Sequence, residues 1–206
     1  MSSIIPIRNP KTDALLTPQN AALVVIDYQP TQVHSINSTD TGTLVKNIAI
    51  VCKVAKLYDL PIVLSTVNVE NGRNQDTIKP IKDVLSDTPS YDRTAINAWE
   101  DKEFHEAIKA AGRKKLIMCA LWTEACLTFP SLDALREGYE VYPVVDAVGG
   151  TSLLAHETAL RRMEQAGAQL ISTPQLICEL QRDWNRTETV KGFVEMLVDV
   201  GAFVEI

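Results

Sequence analysis

Residues 21–27, Ala-Ala-Leu-Val-Val-Ile-Asp, decide the fold. Six apolar residues, half of them β-branched, run without alternation and end on a carboxylate at Asp27. A strand exposed on one face would alternate polar and apolar positions. This one reads as a strand covered on both faces, which is the habit of parallel sheets.

Working outward, Leu44, Ile48, Val51 and Ala55 recur at helical spacing, so the pattern predicts a helix over 43–58. A second strand follows over 62–67, after Pro61. Residues 68–91 are rich in Asn, Asp, Gly and Pro and read as a long excursion with a short helical stretch near 78–85. A helix over 101–111, stopped by Gly112, leads to a third buried strand, KLIMCAL over 115–121. The pattern continues with a helix from Glu124 to Glu137, a strand over 140–146, a helix over 152–166 and a last strand over 169–172. Two terminal helices close it, over 174–184 and 190–200.

Strands alternating with helices, joined by connections too long for hairpins, require a mostly parallel sheet with helices on both faces. The fold class is therefore α/β, a three-layer α/β/α sandwich around a Rossmann-like sheet. The reading gives an N-terminal arm over 1–20, a single domain over 21–184, and a helical tail over 185–206 that packs on the domain or on a neighbouring subunit. In such sheets ligands bind beyond the carboxyl ends of the strands, where strand order reverses. Asp27, the turn from Leu121 to Cys126 and the segment 146–151 can meet there.

Composition narrows the chemistry. The chain has 206 residues, a formal net charge of −6, 46% hydrophobic and 22% charged residues, which suits one folded domain and offers no basic surface for nucleic acid or anionic membrane. No stretch has the length of a membrane span or the order of a signal peptide, so a cytoplasmic location is expected. The four cysteines form no C-x-x-C pair and are expected as free thiols. His34, His105 and His156 lack metal-ligand spacing, so no metal or other cofactor is expected. No dinucleotide, Walker or G-x-S-x-G motif is present, and Gly149-Gly150 is read as a tight turn.

Three residues could carry chemistry. Cys126 lies just after a buried strand and near a helix start, where free backbone N–H groups favour a thiolate and could hold an oxyanion. Pro130 cannot donate to the carbonyl of Cys126, so the turn is expected to be irregular. Cys126 could equally be a packing residue, a reading that suits Cys52, Cys119 and Cys178 better. A carboxylate at Asp27 is costly at the end of an apolar strand unless it is paired or takes a proton, although it could also simply cap a loop. Arg93 could pair with it, or could be a surface charge.

Taken together, LVVIDYQ around Asp27, RTAINAW from Arg93 to Trp99, LWTEACL around Cys126 and DAVGGTSLLAHETALRRMEQAGA from Asp146 resemble the isochorismatase-like, or cysteine-hydrolase, family. The resemblance implies a catalytic triad of Asp27, Arg93 and Cys126, with arginine where most members carry lysine. It implies a cis peptide at Trp122-Thr123 and an oxyanion held by the amides of Thr123 and Cys126. Asn68, Asn97 and Trp99 are assigned to the substrate pocket, with Trp122 as a further wall. The implied activity is metal-independent hydrolysis of a small amide or related C–N bond through a thioester at Cys126, with Asp27 as base. On this reading Asp27→Asn is expected to raise the thiol pKa. Alternatives are vinyl-ether hydrolysis of the isochorismatase type using Asp27, a redox-sensing thiol, and a ligand-binding or scaffolding member without catalysis. The partners expected are a small-molecule substrate and further copies of the chain in a homo-oligomer.

Overall fold

In the computed structural model, residues 8–203 are described; residues 1–7 and 204–206, parts of the expected arm and tail, lie outside them. Five strands make one sheet: β1 (Ala21–Ile26), β2 (Ile62–Val67), β3 (Ser90–Arg93), β4 (Lys115–Ala120) and β5 (Glu140–Pro143). The spatial order is β3-β2-β1-β4-β5, and every pairing is parallel. The chain starts at the centre, builds outward through β2 and β3, then returns to place β4 on the free side of β1. The order thus reverses between β1 and β4, and the crevice at their carboxyl ends is where such sheets bind ligands. β1 and β4 are buried at every residue, as their unbroken apolar runs require.

Helices cover the sheet: α1 (Pro30–His34), α2 (Thr41–Leu57), α3 (Lys79–Lys82), α4 (Lys102–Ala111), α5 (Thr128–Arg136), α6 (Leu153–Gln165), α7 (Thr173–Gln181) and α8 (Thr187–Asp199). Their starts follow capping chemistry. Asp40, Asp101 and Ser152 accept the amides of Thr43, Phe104 and Ala155, which offsets the unpaired donors of a first turn. Gly112 ends α4 at φ 63°. In the C-terminal part, α8 packs on α2 and α7, and Tyr58, just past the end of α2, donates its hydroxyl to Gln181 of α7 at 2.6 Å. Among the described residues no helix is long and apolar enough to cross a membrane.

Two strand expectations change. The polar excursion contains β3, a four-residue edge strand of sequence SYDR. Its Asp92 accepts the hydroxyl of Thr66 and the amides of Val69 and Glu70, which pins the turn after β2. The strand expected over 169–172 is a single bridge, Val144 to Ile171. Gln169 and Ile171 do donate to Val141 and Pro143, and Ile171 accepts from Val145, but Ser172 already caps α7 and the pairing stops there.

Candidate active site

Asp27 follows β1 directly and is fully buried, with a left-handed backbone at φ 61°. A non-glycine residue held there costs energy and indicates a conformation imposed by its surroundings. Its amide donates to the carbonyl of Ser65 at 3.0 Å and its carbonyl accepts the Gln29 amide at 2.8 Å, so the chain turns sharply and the carboxylate stays under the crevice. Gln29 fixes that turn against β2, donating to the carbonyls of Val67 and Gln75 and accepting the Val67 amide.

Arg93 ends β3 and reaches across β2 to Asp27. Nη1 donates to Oδ1 and Nη2 to Oδ2, both at 2.7 Å, the parallel fork that arginine makes with carboxylates. Both side chains are essentially without solvent contact. Nη1 also donates to Ser65 Oγ and the Thr66 carbonyl, and Nη2 to the Ile96 carbonyl. Burial works against the guanidinium charge, yet its pairing with Asp27 more than offsets that and raises its pKa.

Cys126 lies in a π-helical turn, Thr123–Leu127, that precedes α5. The amide of Leu127 donates to Trp122, five residues back, and Pro130 has no N–H to offer the carbonyl of Cys126. The irregularity expected from Pro130 is present. Cys126 is 8% exposed, and its thiol lies close enough to Asp27 and Arg93 to feel both charges. Burial, then the charge of Asp27 and its role as acceptor, push the thiol pKa up; Arg93 and the Trp122 amide pull it down less. Burial and the Asp27 charge therefore favour the protonated thiol at rest over the thiolate expected from position alone.

Two expectations at this turn are corrected. The cis peptide is Leu121-Trp122, not Trp122-Thr123. Strand pairing runs through Leu121, whose amide donates to Ile26 and which bridges Gly149. The turn begins only after that, and the Thr123 amide is used by the Gly149 carbonyl at 2.9 Å. The Thr123 amide is therefore occupied, and among the backbone amides it is that of Trp122 that pulls the thiol pKa down. The Trp122 indole is anchored beside the turn, Nε1 donating to Ser35 Oγ at 2.6 Å.

The expected pocket residues are only partly gathered. Asn68 follows β2 at φ 63°, and its amide donates to the carbonyl of Arg93 at 2.8 Å. Its side-chain oxygen accepts from Asn71. Asn97 instead caps a 3-10 turn (Ala98–Glu100) through the Trp99 amide and donates to Asp133 of α5. Trp99 turns into a cluster with Phe104, His105 and Tyr139 and donates to Glu137. Asn97 and Trp99 thus tie the 93–100 segment to α4 and α5, and their polar groups are engaged away from the thiol.

The other cysteines differ from Cys126. Cys52 and Cys119 are buried, and burial drives both thiols up, Cys52 to about 12. Cys178, expected among packing residues, is exposed because it lies on the outer side of α7. Among the described residues no set of three His, Cys, Asp or Glu side chains converges as a metal site.

Sequence reading missed Gln29, Ser65 and the role of Gly149-Gly150. Neither glycine has positive φ; both permit close approach. A Cβ on Gly149 would lie 2.8 Å from Ile36 and Leu44 side-chain carbons, and one on Gly150 would lie 2.5 Å from Glu124 Oε2. The adjacent glycines were the visible signal, and proximity rather than turn geometry is their cause.

The chain resembles known proteins along most of its length. The isochorismatase domain family matches residues 21–175. Over 170 residues, 82% of this chain and 81% of the relative, the sequence is 35% identical to the probable hydrolase YcaC of Escherichia coli K12. YcaC from Pseudomonas aeruginosa, solved with hexane-2,5-diol and covalent acrylamide, is 32% identical with a TM-score of 0.85, covering 91% of this chain and 92% of that one. The E. coli YcaC structure, described as an octameric hydrolase of unknown specificity, is 30% identical with a TM-score of 0.81, covering 94% and 100%.

Proposed function

The chain belongs to the isochorismatase family of hydrolases, and from that premise we propose that it hydrolyses a small amide or related C–N bond through a thioester on Cys126. The observation that carries the proposal is the convergence, at the reversal of strand order, of a buried thiol, a carboxylate near enough to raise that thiol's pKa, and an arginine bound to the carboxylate by two 2.7 Å contacts.

In this mechanism Asp27 receives the thiol proton as Sγ attacks the substrate carbonyl, so a thiolate need not accumulate beforehand. The amides of Trp122 and Cys126 hold the developing oxyanion, which revises the donor pair expected from sequence. Collapse breaks the C–N bond, and protonated Asp27 returns its proton to the leaving nitrogen. Water, relieved of a proton by Asp27, then cleaves the thioester and restores the thiol. Arg93 stays charged throughout, holding the carboxylate in place and relaying no proton. No metal or organic cofactor enters these steps. An indole beside the Cys126 turn favours an apolar acyl group.

The octameric E. coli relative supports a homo-oligomeric assembly here too. Leu153, Leu154 and Trp184, all more than half exposed, are suited to contacts between copies. The deciding experiment is a screen of small amides with wild type and Cys126→Ala. Turnover by wild type alone, with the variant's thermal unfolding unchanged, is the expected result. Undiminished turnover by Cys126→Ala overturns the covalent route and moves vinyl-ether hydrolysis through Asp27 ahead.

A further inference from the structure

Behind the Cys126 turn lies a polar cluster that these steps do not use. Thr123, fully buried, opens the turn. Its hydroxyl meets His156 Nδ1 of α6 at 2.8 Å, its amide donates to Gly149, and its carbonyl accepts the Thr128 hydroxyl at 2.6 Å. One residue on, Glu124 Oε1 accepts the amide and hydroxyl of Thr151 at 2.9 and 2.6 Å. The partners Gly149, Thr151 and His156 all belong to the segment that runs into the first turns of α6. Leu121 is thus flanked by Ile26 of β1 on one side and Gly149 on the other, and the turn carrying Cys126 is latched to that second side. Gly150 has no side chain because the latch closes over it; a Cβ there would lie 3.2 Å from the amide nitrogen of His156 as well as against Glu124.

A buried hydroxyl needs an acceptor for its proton, and among the described residues the Thr123 hydroxyl makes one hydrogen bond, to His156 Nδ1. The arrangement that satisfies both groups has the hydroxyl donating to a neutral imidazole whose proton sits on Nε2. Burial lowers the pKa of His156, against opposing pulls from Glu124 of the turn and Glu157 of α6, which preserves the neutral ring at neutral pH.

We propose that His156 is a positioning residue for the hydrolytic site, holding Thr123 so that the neighbouring amides of Trp122 and Cys126 keep their aim at the oxyanion. The inference rests on the reading of Cys126 as nucleophile. Protonation of the ring turns Nδ1 into a donor and leaves the Thr123 hydroxyl proton without an acceptor, so the latch slackens in acid.

Two reagents separate positioning from access. p-Nitrophenyl acetate acylates Cys126 through a tetrahedral oxyanion: the S–C bond forms, the C–O bond breaks, p-nitrophenolate leaves, and the thiol proton passes to Asp27. Iodoacetamide alkylates the same sulfur by displacing iodide, with no oxyanion. The ratio of the two rates at Cys126, read by peptide mass spectrometry, cancels any change in exposure. His156→Leu is expected to lower this ratio about five-fold at neutral pH, roughly the worth of one net hydrogen bond. His156→Asn, which offers an acceptor near the place of Nδ1 but does not titrate, is expected to restore the ratio and to remove its decline in acid. An unchanged ratio in His156→Leu, or an acid decline that persists in His156→Asn, overturns the proposal. Should wild-type Cys126 react with neither reagent, the nucleophile reading falls, and amide hydrogen exchange over Thr123–Leu127 decides the latch: faster exchange in His156→Leu upholds it, equal rates overturn it.

Discussion

Replacing Arg93 by methionine tests whether the ion pair beneath the thiol is as dry as the structure shows. Both partners are essentially without solvent contact and share two 2.7 Å hydrogen bonds. The variant leaves the carboxylate of Asp27 buried without its cation, a change that costs about 3–5 kcal/mol out of a typical total of about 5–15. At a urea slope of about 2 kcal/mol per molar, the unfolding midpoint at pH 7 should fall by about 2 M, measured at fixed protomer concentration. The sign with pH is also set. A lone buried carboxylate favours its protonated form, so the deficit against wild type should be largest at neutral pH and shrink as pH falls toward the carboxylate range. Asp27→Asn combined with Arg93→Met removes the stranded charge and should recover about 2 kcal/mol or more of the loss. A deficit below about 1 kcal/mol, the scale of an exposed pair, or one independent of pH, refutes the reasoning.

Other outcomes follow from the same geometry. Because Asp27 raises the Cys126 pKa both as a charge and as an acceptor while Arg93 lowers it, Asp27→Asn should lower the thiol pKa and speed iodoacetamide alkylation at pH 7–8, yet slow amide hydrolysis about 10²-fold or more for want of a base. Slower alkylation in that variant would show that the carboxylate does not face the thiol. Gly150→Ala should cost about 1–3 kcal/mol by crowding Glu124 and His156, seen as a lower melting temperature; an unchanged one would mean the segment yields freely.

The sequence-level expectation for Asp27→Asn had the opposite sign, and the reason is physical. Position near a helix start argues for a stabilised thiolate, but the first turn here is π-helical and buried, so desolvation and the adjacent carboxylate dominate. Strands β1, β2 and β4 were legible because long apolar runs have few other homes. β3 was not: Ser-Tyr-Asp-Arg is short and polar, and it becomes a strand only because Asp92 and Arg93 are bonded into the turn after β2 and into Asp27. The approach of Asp27, Arg93 and Cys126 could be anticipated from topology and family resemblance. The directions of Asn97 and Trp99 could not, since adjacency in sequence to Arg93 says nothing of which side a 3-10 turn presents. For the same reason the use of the Thr123 amide by Gly149 was not legible: one residue of offset decides which N–H is taken up beside the strand.

The choice of arginine at position 93 has a consequence for how charge moves in the proposed reaction. At rest the buried trio is electrically balanced, one guanidinium against one carboxylate, with a neutral thiol. When the proton leaves sulfur for Asp27, that balance shifts: the carboxylate is discharged, and the positive field of Arg93 is left facing the negative charge that has just appeared on the substrate. A lysine could dissipate this field by giving up a proton, whereas a guanidinium cannot. The site therefore behaves as a fixed positive electrode whose screen is withdrawn by the same proton transfer that creates the anion.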